Sequence, residues 1–402
     1  MKPILPLLLR RSLLASLLVP IISLSFSASA ADFMVDASQY SDPNNNIYST
    51  LEELVSSVAL VAGDTVILNN DDASLTTGLT VPVNFRSADP AALCAVDLSG
   101  LGKNPLYNLG AGEYTLEMDS VIWSNGAAGV IRTADDNVSL EITGEVQFLN
   151  NHVDNSNNSA YGGAIDMEGD HATLTLGNNV TFSGNYASSD SYSISTSSGG
   201  AIYMQGVNSF LTICNGAIFT NNYSSTYGGA IYLQGITTDN SSRFLAFTHD
   251  VLFSGNMTGG TFTQHNDGSF SVVNGVANAI HVDGTNHLQL AAAQGKEVRF
   301  NDPITSAAYF SSTENVTLSL NQYTDDDGIS HTTDGTVIFS GELYQGDDAH
   351  LVASRYSDFK GQTTLYGGSL ILEHNVVFGN AGLRDDTSMT LEHGTLEITG
   401  GL

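Results

Sequence analysis

Ten histidines, 42 carboxylates and two cysteines are the side chains of this 402-residue sequence that could carry acid–base, metal or thiol chemistry. Their spacing argues against most of it. The histidines are scattered, with no H-E-x-x-H and no pair at i, i+4, and His281 and His287 are the closest candidates for a shared metal. Acidic pairs recur at Asp71-Asp72, Asp135-Asp136, Asp347-Asp348 and Asp385-Asp386, with Asp325-Asp326-Asp327-Gly328 as the longest run. Calcium wants carboxylates at alternate positions around a glycine turn, which only Asp325, Asp327 and Gly328 approach. Solvated turns are the better reading of all five. No G-x-S-x-G, phosphate loop or C-x-x-C is present. The expectation is no catalytic, metal or cofactor-binding residue.

The residues that do recur at fixed spacing are structural. F-x-x-N and G-G-A-I alternate through the middle of the chain: Phe148 with Asn151, then Gly162-Gly163-Ala164-Ile165; Phe182 with Asn185, then Gly199-Gly200-Ala201-Ile202; Phe219 with Asn222, then Gly228-Gly229-Ala230-Ile231; and a fourth pair, Phe253 with Asn256. The steps between phenylalanines are 34, 37 and 34 residues, a period that marks a repeat architecture. Between the motifs lie short alternating runs such as Ile202-Tyr203-Met204 and Leu211-Thr212-Ile213, punctuated by Gly, Asn, Asp and Ser and without a helical period. A strand-only repeat cannot bury its own apolar face and must stack on its neighbours. The expected fold is all-β, a right-handed parallel β-helix with a short N-terminal capping helix. Phe and Ile point inward and stack, each F-x-x-N asparagine sits at a turn, tolerating left-handed backbone and laddering with its neighbours, and the glycine pair supplies positive φ.

Interleaved in order three and four times, these motifs resemble the polymorphic outer membrane proteins and related adhesin-type autotransporters of Gram-negative bacteria. The resemblance implies a surface-displayed β-helical passenger, often adhesive, joined to a C-terminal membrane barrel.

Residues 1–30 read as a signal peptide: Lys2, Arg10 and Arg11, an apolar stretch, then Ala28-Ser29-Ala30 before a cut between Ala30 and Ala31. Its removal leaves nine of 12 basic residues against 42 acidic ones, a formal charge of −33. Such a chain repels nucleic acid and anionic lipid. With 42% hydrophobic and only 13% charged residues, it still has enough apolar side chain to fill a narrow core. Residues 31–74 form the N-terminal cap, in which Ser49 to Val58 carries the best helical pattern and covers the unpaired edge of the first coil. Residues 75–147 are coils without the motif pair, and Trp123 is a core residue rather than a sugar-stacking platform. Residues 148–256 are the motif repeats.

Residues 257–402 are degenerate coils, where Ala277-Asn278-Ala279-Ile280 and Phe300-Asn301-Asp302-Pro303 are decayed motifs and Phe339 and Phe378 continue the phenylalanine series. The pattern runs to Leu402 with no barrel strands after it, so the chain reads as the N-terminal part of a longer autotransporter, a fragment or truncated product. Cys94 and Cys214 are 120 residues apart. At about 20 to 25 residues per coil they lie on the order of 25 Å from each other. A disulfide needs about 7 Å, so both stay thiols.

Two function classes fit. One is a passenger rod of about 15 to 18 coils, roughly 70 to 90 Å long. It is adhesive through Ser/Asn/Tyr-rich loops toward host-cell or sister-cell surface molecules, or it is a bare stalk. It meets the outer membrane only through a barrel, or stays periplasmic without one. The other is a β-helical polysaccharide lyase or glycosidase, which needs a basic cluster or a spaced carboxylate pair. The thin spread of basic residues favours the non-enzyme.

Overall fold

The computed structural model describes residues 30–69, 73–155, 159–189, 197–234, 242–246, 250–283, 286–306, 316–324, 329–357, 361–378 and 388–399. The body of the signal segment, the Asp71-Asp72 and Asp385-Asp386 pairs and the 325–328 run lie outside them. Strands of the chain stack into sheets of 13, 11, seven and five members. All pairs in the three largest are parallel, as in Ile165–Met167 on Ile202–Gln205, Thr173–Leu176 on Phe210–Ile213 and Thr181–Ser183 on Ile218–Thr220. In the motif repeats one turn of chain thus visits each of the four sheets once and returns directly above its start. The fold is a parallel β-helix.

The register makes every core position a column. Phe148, Phe182, Phe219, Phe253, Phe300 and Phe339 are fully buried and stack face to face, with successive centroids 4.7 to 5.1 Å apart. Burying each ring contributes about 1.5–3 kcal/mol, and stacking adds to it. Trp123 stands below Phe148 in the same column, buried, with its ring edge-on to Phe85. The column closes at Leu372, which pairs with Phe339. Phe378 instead belongs to a short strand against Tyr356–Ser357, so it does not continue the phenylalanine series. On the opposite wall, Ile131, Ile165, Ile202, Ile231, Ile280 and Ile304 form a second buried column.

Because Phe182 lies directly on Phe148, a 34- to 37-residue repeat is a single coil. The 20-to-25-residue estimate is therefore too short. Twelve coils run from Asp32–Val35 to Ser388–Leu391, giving a stack of about 55 Å rather than 70 to 90 Å. Cys94 is buried and Cys214 half-buried, four coils or about 19 Å apart, and both are free thiols.

At the start, helix α1 (Leu51–Ser57) is fixed by a reciprocal cap: Thr50 Oγ1 accepts from Glu53 N, while the Glu53 carboxylate accepts from Ser49 N and Oγ. Leu51 and Leu54 bury into the end of the core. The hydrogen-bonding edge of the first coil is covered by the two-residue strand Ile47–Tyr48, not by the helix. A helix has no free backbone groups with which to pair an edge, so the two tasks fall to two elements. Among the described residues no helix is long and apolar enough to cross a membrane.

Candidate functional site

Each F-x-x-N asparagine turns its side chain inward at the corner between the 11- and five-stranded sheets. Asn151, Asn185, Asn222 and Asn256 are fully buried. Each Nδ2 donates to Oδ1 of the next in the column, at 3.1, 3.0 and 2.9 Å, and also to a main-chain oxygen one coil behind: Trp123, Phe148, Phe182 and Phe219. Asn256 donates from N and Nδ2 to Asp302 Oδ2 at 2.8 and 2.7 Å, so the decayed motif ends the ladder with an acceptor-only group. Asp302 Oδ1 accepts from Gly255 N and from the Tyr344 hydroxyl.

The left-handed conformation expected at the ladder asparagine falls instead on the residue before it: Asn150, Gly184, Asn221 and Gly255, with φ between 54° and 74°. Asn and Gly alternate there for a steric reason. A Cβ on Gly184 or Gly255 would lie 2.3 or 2.6 Å from Oδ1 of Asn150 or Asn221 one coil below.

In the G-G-A-I motif the two glycines do different work. Gly162, Gly199 and Gly228 have positive φ, whereas Gly163, Gly200 and Gly229 are pinned by close approach of the next coil's backbone. Ala164, Ala201 and Ala230 are buried beside the isoleucine column. Asn278 takes the place of a second glycine, and its side chain accepts from Gly228 N at 2.9 Å and donates to Thr305 Oγ1 at 2.7 Å.

Alternation places the residue after each motif isoleucine on the outer face of the seven-stranded sheet. There Asp166, Tyr203, Tyr232 and His281 form a further column, with Tyr203–Tyr232 and Tyr232–His281 centroids 5.3 and 5.7 Å apart. Tyr161, in the strand Ala160–Tyr161, and Tyr227, bridged to Ser198, stack onto it at 4.3 Å from Tyr203 and 4.5 Å from His281. Tyr203 donates to Gln205 and Gln234, and Tyr232 to Asp283 Oδ2. Burial raises the pKa of both phenols, so they remain donors. This row was legible as Ile-Tyr-Met-Gln and Ile-Tyr-Leu-Gln at one offset, a signal the motif reading passed over. So was Asp267-Gly268, flanked by alternating residues, which makes a hairpin of Thr261–Gln264 and Phe270–Val273. Its Phe262 and Phe270 pack over Tyr186 and Tyr223.

Asp166 is 5% exposed, and its Oδ1 meets no donor among the described residues. Burial, then the charge of Glu168, pushes its pKa well above the usual range, against the pull of Arg132 at 3.4 Å. A carboxyl whose pKa is raised on folding binds its proton more tightly in the native state. Its stabilising share is present at low pH and is lost as pH rises from the ordinary aspartate value of about 3.9 through the native one. Asp166→Asn is therefore expected to stabilise the protein by about 1 kcal/mol at pH 7 and by nothing near pH 4. Urea midpoints at the two pH values check this, and a loss of stability at pH 7 refutes it. The lost Arg132 contact counts for little, because that side chain is half exposed.

No group of three metal-ligating side chains occurs among the described residues. His281 and His287 stand on different sheets, with Nδ1 against Thr305 and Thr317 respectively. Asp136 Oδ1 accepts from Asp170 N, a turn role. Tyr203, Tyr232 and His281 are themselves buried, so the rings of this column that can meet a ligand by stacking or hydrogen bonding are Tyr161 and Tyr227.

The model of the Chlamydia polymorphic membrane protein repeat matches residues 179–205 and 216–234. The chain is 29% identical over 208 residues to probable outer membrane protein pmp10 of Chlamydia pneumoniae, covering 43% of this chain and 21% of that one. It is 31% identical over 165 residues to probable outer membrane protein pmp8 of the same organism, covering 41% and 16%. It thus spans about a fifth or less of the length of these relatives. No solved structure matches. Both matched segments fall on the coils built by G-G-A-I and F-x-x-N, and the chain carries the repeat of the chlamydial polymorphic membrane proteins.

Proposed function

We propose that this chain is the surface-exposed passenger region of an autotransporter-like outer membrane protein, a rigid rod whose lateral loops adhere to host-cell or sister-cell surfaces. The observation that carries the reading is the continuous ladder of twelve coils. It stacks the segments that follow the asparagine corner in successive coils, His152–Asp154, Tyr186–Ser188 and Tyr223–Ser224, one above another in a single sheet. Residues 1–30 act as the export signal. Ala30 is exposed, and Ala31 N donates to Asp64 Oδ1 at 2.8 Å, so the first coil is seated from Ala31 onward. The relatives are named as outer membrane proteins rather than enzymes, which suits a binding role.

The test is display of residues 31–402 on a heterologous translocator barrel in a non-adherent bacterium. Attachment to epithelial monolayers and self-aggregation are expected to rise about ten-fold over the barrel alone, since many weak contacts add as avidity. Display without either effect leaves a bare stalk and removes the adhesive reading.

A further inference from the structure

Where the repeat decays, the coil opens. Helix α2 (Ala349–Ala353) packs against Val276–Ala277, and Ser354 Oγ accepts from Ala277 N at 2.8 Å. Between this inserted helix and the end of the outer aromatic column lies a cleft of about 400 Å³. That is within the roughly 300–1,000 Å³ of small-molecule sites. Tyr227 forms one wall. It is the most exposed ring of the column, at 38%, and is held by stacking on His281. Thr226 and Thr305 bring hydroxyls, and Val276 with Ala353 supply apolar surface. The Thr305 hydroxyl is oriented by Asn278 Nδ2 and His281 Nδ1, each 2.7 Å away.

We propose that this cleft binds a neutral saccharide ring, with Tyr227 as the stacking platform and the threonine hydroxyls as its polar partners. Three features select that class. The lining contains no lysine, arginine or carboxylate, and the whole chain carries a formal charge of −30, so an anion is repelled with nothing to hold it. A purely apolar guest would strip water from the hydroxyls without replacing their hydrogen bonds. A pyranose offers an apolar C–H face to an aromatic ring and hydroxyls at its rim, which is the pairing this cleft presents.

The experiment is calorimetric titration of the purified chain with maltotriose, cellotriose, di-N-acetylchitobiose and lactose as neutral probes, and with 3′-sialyllactose as the anionic counterpart of lactose. At least one neutral probe is expected to bind. Tyr227→Ala should weaken it about ten-fold and Tyr227→Phe hardly at all, because stacking needs the ring and not the hydroxyl. The thermal midpoint of each variant reports whether the exposed site was changed without loss of fold. Failure of every neutral probe, binding that survives Tyr227→Ala, or a preference for the sialylated sugar overturns the proposal. The assay uses soluble protein, so it can fail while cell attachment succeeds, and the reverse.

Discussion

Gly200→Ala is expected to prevent the chain from folding as one stack. A Cβ at this position would lie 2.1 Å from Gly229 O, 2.5 Å from Tyr223 O and 2.6 Å from Tyr223 N. All three are backbone atoms of the next coil, and they are fixed there by Gly200 N donating to Gly228 O and Tyr223 N donating to Asn185 O. Relief requires the coils to separate, which breaks the seven- and five-stranded sheets at the same level. The cost is on the order of 4 kcal/mol or more, the range reached only when backbone or core must be displaced. Gly102→Ala is the control: nothing lies within 4 Å of the new Cβ, so it costs only the strain of a backbone at φ +61°, ψ −122°, which L residues rarely adopt, about 1–3 kcal/mol. Urea midpoints of the two variants separate the effects. Equal midpoints would mean that the spacing between coils is soft, and the rigid-lattice account would be lost.

Asn222→Ala is expected to cost about 3–5 kcal/mol, because it leaves several buried groups without partners at about 1–3 kcal/mol each. Asn185 N and Nδ2 lose Asn222 Oδ1 as acceptor, and Phe182 O loses Asn222 Nδ2 as donor. Asn185 and Asn222 are fully buried, so bulk solvent does not reach these groups. Asn221→Ala, one residue earlier and exposed, removes no rung of the ladder and should cost about 1 kcal/mol through its left-handed backbone. In a solenoid each coil is stabilised by its nearest neighbours, so the damage should be local. Hydrogen exchange at Asn185 N is expected to rise by orders of magnitude in Asn222→Ala, with the coil at Phe85 unchanged. If the two alanine variants melt alike, the ladder is ornamental.

The repeated motifs were sufficient to read the fold class, because in a solenoid each residue's neighbours are its own counterparts one period away. Phe148 meets Phe182 and Asn151 meets Asn185 whatever the intervening loops contain. The same logic made Trp123 a core residue. Coil length was misread for a related reason. Strand segments account for only part of each repeat, and a sequence does not mark which residues leave the stack as loops. The series also ended differently from its pattern, since Phe339 pairs with Leu372 and a phenylalanine 39 residues on sits in another strand. Apolar content identifies a core position but not its column.

What the sequence by itself determined is the column: which residue types stack, and which positions of the repeat lie directly above one another. What only the tertiary structure decided lies between columns. Asp302 ends the asparagine ladder although it stands two residues after its phenylalanine rather than three, because the backbone there brings its carboxylate over Asn256. Tyr227, Asn278, Thr305 and Ala353 come from segments up to 126 residues apart in the chain and meet at one cleft. Repetition encodes contacts at a fixed period, and it carries no information about contacts made where the period fails.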